Sequence, residues 1–391
     1  MATNTMRLLA ANALLGTAAA AVACNHTTNG LTWTSAVRMN QIQVIGTHNA
    51  YHVESQLAER AVFEQFMPSP QNYYYAHPTL DIQLKYQSMR NLELDLFADP
   101  EGGHYANPLI RSRSGLPPPT DPAYQEPGIK VFHVADADIH TTCLTLIGCL
   151  KTIKTWSDAH RDHVPLPLMI ELKTADARIT ALGGAAAIPW TTELLDGLDV
   201  EIRSVFPADR LVVPDDIRRG NLTLEASVLR HGWPDLDSAR GRLLFLMDNG
   251  PVHTARDAYR VGRPSLEGRV LFTNAAPGDA DCAFQKLNDP TGEANSKQIK
   301  DAVAANYWVR TRADVPLDTI LSDDPTAMRK AAFASGAQIV STDFQAYGMS
   351  SRWGVDYAVR FDGGRSARCN PVTAKAGCVD DELEPEEYVR N

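Results

Sequence analysis

Short apolar segments typical of strands recur along most of this chain, and segments with helical spacing separate them. The predicted strands span residues 41–46, 91–97, 130–134, 167–173, 210–213, 243–248, 269–273, 308–312 and 338–343. Strands that alternate with helices favour a parallel sheet, because a parallel connection has to cross back over the sheet. About eight strands in roughly 350 residues predict a single-domain α/β fold, a (β/α)8 TIM barrel with long rim loops. A doubly wound sheet is the alternative, although no glycine-rich dinucleotide fingerprint follows the first strand.

Helical spacing and loop composition complete this outline. Helices are predicted over residues 54–66, 79–88, 143–156, 190–204, 222–230, 296–306 and 324–335. Residues 98–128 contain several Gly and Pro residues and are predicted to form a long rim loop, a length that is uncommon without a functional reason. Residues 380–391 are acidic, and we expect this C-terminal tail to be loosely held.

Composition excludes some classes of function. The chain has 391 residues, of which 44% are hydrophobic and 21% charged, as in ordinary soluble enzymes. Its formal net charge of -10 argues against broad nucleic-acid binding, which requires a basic surface. An acidic surface also provides no general attraction to anionic membranes, so any lipid contact has to be local.

The first 23 residues resemble an export signal. Arg7 precedes a short apolar, Ala-rich run that ends in Ala-Val-Ala before Cys24. We therefore predict a signal peptide over residues 1–23, a barrel over residues 24–379, and a secreted or periplasmic protein. An ordinary N-terminal helix is the alternative. Lipid anchoring through Cys24 also stays open, although Ala21 occupies a position where such sites usually prefer Leu.

Six cysteines in an exported chain suggest disulfides. Cys143 and Cys149 are close in sequence, as are Cys369 and Cys378, so we prefer these two pairs. Cys24 and Cys282 remain. The spacing of the six cysteines does not match a Cys/His zinc site, so we predict that the cysteines have a structural role.

Polar side chains interrupt the first four predicted strands near their carboxyl ends, where barrel enzymes place their active sites. These side chains are His48 and Asn49, Glu93 and Asp95, His133, and Glu171 with Lys173. Two carboxylates on one face of a buried strand repel each other unless a cation or a base neutralises them. The pattern therefore predicts one polar site at the top of the barrel.

The residue types indicate phosphodiester chemistry. Carboxylate and amide oxygens are hard ligands that suit Ca²⁺ or Mg²⁺ better than zinc. Two histidines are then available to move protons, while the cation offsets phosphate charge. Each residue also has a structural interpretation: a histidine at a strand end is often only a hydrogen-bonding partner, and Glu171 beside Lys173 can be a simple ion pair.

Four motifs resemble, in order and spacing, the catalytic domain of phosphoinositide-specific phospholipase C. They are Gly46-Thr-His-Asn-Ala-Tyr-His52, Asn91-Leu-Glu-Leu-Asp-Leu96, Val131-Phe-His133 and Met169-Ile-Glu-Leu-Lys173. The chain is most similar to the secreted, Ca²⁺-dependent, single-domain microbial branch, over most of residues 40–350. Two later segments, residues 308–314 and 339–344, also look like that branch.

The resemblance implies roles for individual residues. His48 is expected to be the general base and His133 its catalytic partner. Asn49, Glu93, Asp95 and Glu171 match the Ca²⁺ ligand positions. Substrate contacts are expected from Lys173 and, less specifically, from Arg310, Arg312 and Asp343. The implied substrate is a phosphoinositide lipid at a membrane or micelle surface, cleaved by a monomer.

Two other functions stay open at this point. Glycerophosphodiester phosphodiesterases share the barrel, acidic ligands and two histidines, but they typically begin with His-Arg-Gly where this chain has Gly46-Thr-His-Asn. An exported barrel that binds lipid or sugar phosphates without cleaving them is the second alternative. The presence of both His48 and His133 argues against it.

Overall fold

Ten strands form one sheet in the computed structural model, which describes residues 29–34 and 37–388. The strands are β1 Ile42–Thr47, β2 Asn91–Phe97, β3 Lys130–Val131, β4 Leu166–Leu172, β5 Leu243–Met247, β6 Leu271–Thr273, β7 Phe284–Lys286, β8 Trp308–Arg312, β9 Ile339–Thr342 and β10 Ala367–Cys369. The sheet is curved into a barrel, and its longer strands are buried on both faces.

Eight parallel strands follow one another in the order β6-β5-β4-β2-β1-β9-β8-β7. A bridge between Asn274 and Phe284 joins the two outer strands, so the barrel is nearly closed. Strands β3 and β10 are antiparallel additions to β2 and β1. The predicted (β/α)8 barrel is confirmed.

Helices connect these strands and pack around the barrel. They are α1 Arg60–Phe66, α2 Leu80–Tyr86, α3 Leu109–Arg113, α4 Leu146–Ala159, α5 Ala177–Ala181, α6 Thr192–Val205, α7 Pro214–Ile217, α8 Leu224–His231, α9 Leu236–Ala239, α10 Thr254–Tyr259, α11 Glu293–Ala304, α12 Pro316–Ile320 and α13 Ala327–Ser335. Helix α4 shows why these segments are helical. The Thr145 side chain caps its first turn by accepting from the Gly148 amide, and Leu146, Leu150 and Ile153 are buried on one face.

Two strand predictions differ from the structure, and two short strands were not predicted. Residues 210–213 are not a strand and form one bridge, between Leu211 and Leu243, because their apolar side chains serve the core without pairing as a ladder. Of residues 130–134, only Lys130 and Val131 are in a strand, and it lies outside the barrel order. The two strands that were not predicted are β7, which completes the eight-strand order, and the antiparallel β10. Each has three residues, too few to show a period of two.

Two disulfides confirm the preferred pairs, Cys143–Cys149 and Cys369–Cys378. Cys282 is buried and unpaired among the described residues. Paired cysteines fit an extracellular or periplasmic protein. The predicted signal peptide and Cys24 lie outside the described residues. Within residues 29–34 and 37–388, no helix combines the length and apolar character needed to cross a membrane.

The acidic tail is anchored through Glu384, so the expectation of a loose tail is wrong there. Glu384 is 7% exposed, and its carboxylate accepts from Arg90 Nε and Nη2 at 2.7–2.9 Å. The Val164 amide donates to the same carboxylate at 2.7 Å. A fully buried guanidinium requires a counter-charge, and the tail provides it at the amino end of β2, opposite the polar strand ends.

We expect Glu384→Ala to lower the free energy of unfolding by about 3–5 kcal/mol, because it leaves the buried Arg90 charge unpaired. Burial raises the pKa of Glu384, but Arg90 and Ser366 outweigh burial and lower it overall. The carboxylate therefore stabilises the fold above its unfolded pKa, and this stabilisation is lost as pH falls through its folded pKa. Urea unfolding across acidic pH measures both effects. Glu382→Ala, at an exposed neighbour, is the control, and equal unfolding of the two variants would contradict the anchoring.

Candidate active site

The turn after β1 places His48 at the carboxyl end of the barrel. Gly46 packs so closely on β2 that a Cβ there would lie 2.1 Å from the Asn91 side chain. Asn49 then turns the chain with φ of 45°, and the Ala50 amide donates to the Glu93 carbonyl at 2.9 Å. Asn tolerates this left-handed conformation better than most residues. The turn is thus tied directly to the strand that carries the first acidic pair.

His48 is held by a carboxylate on the neighbouring strand. Its Nδ1 lies 2.8 Å from Asp343 Oδ1, and Arg312 Nη2 donates to Asp343 Oδ2 at 2.7 Å. Parallel pairing of β1 with β9 brings these residues together. Burial raises the pKa of Asp343, but His48 and Arg312 outweigh it, so the pKa is lowered and Asp343 stays ionised. An ionised Asp343 accepts from Nδ1 and leaves Nε2 of His48 free for chemistry.

A second histidine, His77, supports the same turn and was missed by sequence reasoning. Its Nε2 lies 3.0 Å from the His48 carbonyl oxygen, and Gln345 Nε2 lies 3.0 Å from its Nδ1. Burial lowers the pKa of His77 to about 3, so the ring is neutral at physiological pH. A lone His in a loop carries no sequence signal that separates this structural role from a catalytic one.

His133 lies in the loop that follows β3, rather than at the end of a barrel strand. Its Nδ1 is 2.8 Å from Asp138 Oδ2, and its side chain is 14% exposed. Burial lowers the pKa of His133, although Asp138 opposes that effect. His133 therefore has the same arrangement as His48, with one ring nitrogen on a buried carboxylate.

Three carboxylates converge between these histidines. Oxygens of Glu93, Glu171 and Asp248 lie within 4.8 Å of one another. Glu93 Oε1 is also 3.8 Å from His48 Nε2. Asp248 was not predicted as a ligand, although it follows the apolar strand β5 just as the other polar residues follow theirs. The same strand-end signal could have identified it.

Basic side chains neutralise this acidic cluster. Arg310 Nη2 donates to Glu93 at 2.7 Å, Lys173 Nζ donates to Glu171 at 3.0 Å, and Lys286 contacts Asp248. Burial raises the pKa of Asp248, and the neighbouring Glu171 carboxylate raises it further. Such mutual repulsion is what a divalent cation relieves.

The remaining predicted ligands, Asp95 and Asn49, fit a hard cation by their chemistry. Asp95 is fully buried and lies outside the group of three, 3.0 Å from Lys173 Nζ. Burial raises its pKa. Asn49 Oδ1 is buried without a hydrogen-bond partner, while its amide group donates to Tyr75. A buried, unpartnered amide oxygen is the kind of oxygen ligand that Ca²⁺ takes.

A cavity of about 430 Å³ opens beside the cluster. Its polar lining includes His133, Glu171, Lys173, Asp248, His253 and Lys286. This volume is within the usual range for small-molecule sites, about 300–1,000 Å³. Lys173 lines this cavity, and its role as a substrate contact stays a prediction. Burial lowers the pKa of Lys173, but Asp95 and Glu171 outweigh burial and raise it.

The other predicted substrate residues, Arg310, Arg312 and Asp343, do not line this cavity, and their contact with substrate stays a prediction. Arg310 is 1% exposed and bonds to Glu93 and Ser341. Arg312 and Asp343 are occupied with each other and with His48. Their contacts hold Glu93 and His48 in place.

The family of Ca²⁺-dependent phosphoinositide phospholipase C matches residues 37–371. The chain belongs to this family. It is therefore related to phosphodiester-cleaving enzymes whose cofactor is Ca²⁺. None of the curated proteins compared with the chain matches it.

Solved structures of other phospholipases have similar folds. The Ca²⁺-dependent phosphoinositol-specific phospholipase C of a Gram-negative Pseudomonas species, in apo form, is 17% identical, with 88% of this chain and 99% of that chain covered and a TM-score of 0.50. Its myoinositol complex is 16% identical, covers 87% and 98%, and has a TM-score of 0.51. The Streptomyces antibioticus enzyme is 18% identical, covers 79% and 96%, and has a TM-score of 0.48. The Pseudomonas structures support the barrel fold of this phospholipase.

Proposed function

We propose that this phospholipase cleaves phosphatidylinositol to diacylglycerol and an inositol phosphate that is initially cyclic. One observation carries the proposal: His48 and His133 each rest on a buried carboxylate, and both reach the same acidic cluster. His48 reaches it through Glu93, and His133 shares the cavity with Glu171. Two histidines around one phosphate provide a base and an acid.

His48 is the proposed general base. Its free Nε2 takes the proton from the inositol 2-hydroxyl as that oxygen attacks the phosphorus of its own phosphodiester. Asp343 stabilises the imidazolium that forms, since it remains ionised on Nδ1. Attack within one molecule needs no second reactant to be brought in, which lowers the entropic cost.

His133 is the proposed partner on the leaving side. It gives a proton to the diacylglycerol oxygen as the phosphorus–oxygen bond breaks. Lys173 faces the same cavity and remains protonated, so it is suited to contact a phosphate oxygen. The two histidines thus exchange one proton each with opposite oxygens of the same phosphate.

Asn49, Glu93, Asp95 and Glu171, joined by Asp248, are the proposed Ca²⁺ ligands. When bound, the cation offsets the negative charge that develops on the phosphate oxygens. Glu93 connects this group to His48, so the ligands also align the base with the phosphate.

We further propose that the protein is exported and acts as a monomer on lipid at a membrane or micelle surface. The two disulfides support an oxidising compartment. Lipid anchoring through Cys24 stays a prediction.

Comparison of phosphatidylinositol with glycerophosphoinositol in the presence of Ca²⁺ tests the proposal. We expect release of cyclic inositol phosphate from phosphatidylinositol, detected by phosphorus NMR. Cleavage of glycerophosphoinositol alone would favour the glycerophosphodiesterase alternative. Binding of either compound without product would favour the non-catalytic barrel.

A further inference from the structure

The loop that carries His133 is fastened to the turn that carries His48. Its base is closed by backbone bonds, with the Val131 amide on Leu144 and the Leu146 amide on Ile129. Its far side pairs with the turn, because the Thr142 amide donates to the Tyr51 carbonyl at 2.8 Å. The two catalytic histidines are therefore carried by segments that contact each other directly.

One buried carboxylate lies at this contact and serves two histidines. Asp138 Oδ2 is 2.8 Å from His133 Nδ1 and 3.0 Å from His52 Nε2, while its Oδ1 is 3.2 Å from His52 Nε2. Asp138 is 1% exposed and His52 is 0% exposed. His52 does not line the cavity, so it has no contact with a substrate there.

The Asp138 carboxylate determines which ring nitrogens of His133 and His52 carry a proton. An ionised carboxylate only accepts, so His133 Nδ1 and His52 Nε2 both donate to it. With its Nδ1 occupied in this way, His133 has only Nε2 to exchange a proton with a bound substrate. Burial raises the pKa of Asp138, but the two histidines outweigh burial and lower it, which keeps the acceptor ionised.

Packing holds the second histidine in place. The His52 ring lies 4.5 Å from the Tyr75 ring, centroid to centroid, and 6.2 Å from the His133 ring in an edge-on arrangement. His52 also forms a backbone bridge to Thr141 on the His133 loop. The ring is thereby aimed at Asp138 by both segments.

We propose that His52 is a positioning residue for His133: it holds Asp138 as an oriented anion, which in turn directs His133 Nε2 at the leaving oxygen. The proposal rests on the proposed function. In that reaction, His48 takes the hydroxyl proton as the new phosphorus–oxygen bond forms, and His133 gives a proton to diacylglycerol as the old bond breaks. His52 itself gains and loses nothing.

Two substrates with different leaving groups test this role. Departure of diacylglycerol requires a proton, whereas a nitrophenolate leaves an inositol phosphate ester without one. We expect His52→Leu to lower kcat on phosphatidylinositol about 10–100-fold with little change in KM. The same variant should lose much less activity on the nitrophenyl ester. His52→Gln, whose amide keeps an N–H near the Nε2 position, should retain most activity on both.

The control is His163→Leu. His163 is another buried histidine; it precedes β4, and its ring forms a hydrogen bond with the Ser157 hydroxyl. It should alter unfolding without changing the ratio of the two activities. Equal losses of His52→Leu on both substrates, or none on either, would overturn the positioning role. If His52→Leu does not fold, His52→Asn replaces it, because the asparagine amide is too short to reach Asp138. Activity of His52→Asn equal to that of His52→Gln would overturn the proposal. Lack of phosphatidylinositol cleavage by the wild-type enzyme would instead refute the proposed function.

Discussion

Removal of Ca²⁺ with a chelator is expected to lower phosphatidylinositol cleavage about 10³-fold, because a cation on the phosphate contributes several kcal/mol to the transition state. Oxygens of Glu93, Glu171 and Asp248, which form the acidic cluster, lie within 4.8 Å of one another, so their charges repel without a cation. Added Ca²⁺ should restore the rate and also raise the unfolding temperature, since ligand binding stabilises the folded state. Product release and thermal unfolding, each titrated with Ca²⁺, measure these effects.

The variant Asp248→Asn tests whether Ca²⁺ acts at this cluster or through general effects of divalent ions. We expect a higher Ca²⁺ concentration for half-maximal activity, since the variant loses one ligand charge. Asp257→Asn makes the same exchange at an exposed position on α10 and should leave the Ca²⁺ titration unchanged. Equal rates with chelator and with Ca²⁺ would refute the metal assignment.

His48→Ala should lower kcat about 10²–10⁴-fold, the usual contribution of a general base. His133→Ala should lose most turnover on phosphatidylinositol as well. The fold should persist in both, because each side chain is partly exposed and occupies the cavity end of the barrel. Release of inositol phosphate under saturating lipid and Ca²⁺ is the measurement.

His231→Ala is the matched control for His48→Ala, since His231 lies at the end of α8 on the outside of the barrel. It should keep normal turnover. Near-normal rates in His48→Ala would show that another group takes the hydroxyl proton.

Much of the fold and part of the site could be predicted from the sequence, because they depend on patterns within a few neighbouring residues. Strand ends interrupted by Glu93 or His48 stand out within a few residues of apolar sequence. The disulfide pairs Cys143–Cys149 and Cys369–Cys378 followed from short separations, which the structure confirms. Strand β7 escaped notice because three residues carry no measurable period.

Tertiary structure alone decided which polar groups meet. Arg310 contacts Glu93 across 217 residues, and Asp343 meets His48 across 295. Asp343 and His48 follow neighbouring strands, β9 and β1, whereas Arg310 reaches from β8 past both of these strands to Glu93 on β2. Strands that meet in the barrel are distant in sequence, so no local pattern predicts either pair.

The amino-acid sequence by itself determined that this chain forms a barrel with His48 and several carboxylates near its strand ends, because strand patterns and residue types are local features of a sequence. It did not determine that Asp248 joins the cluster, or that His52 stands behind His133 on Asp138. Those assignments depend on how the barrel and its loops close in space. The reason is physical: a buried charge is stabilised by whichever partners the fold brings within hydrogen-bonding distance.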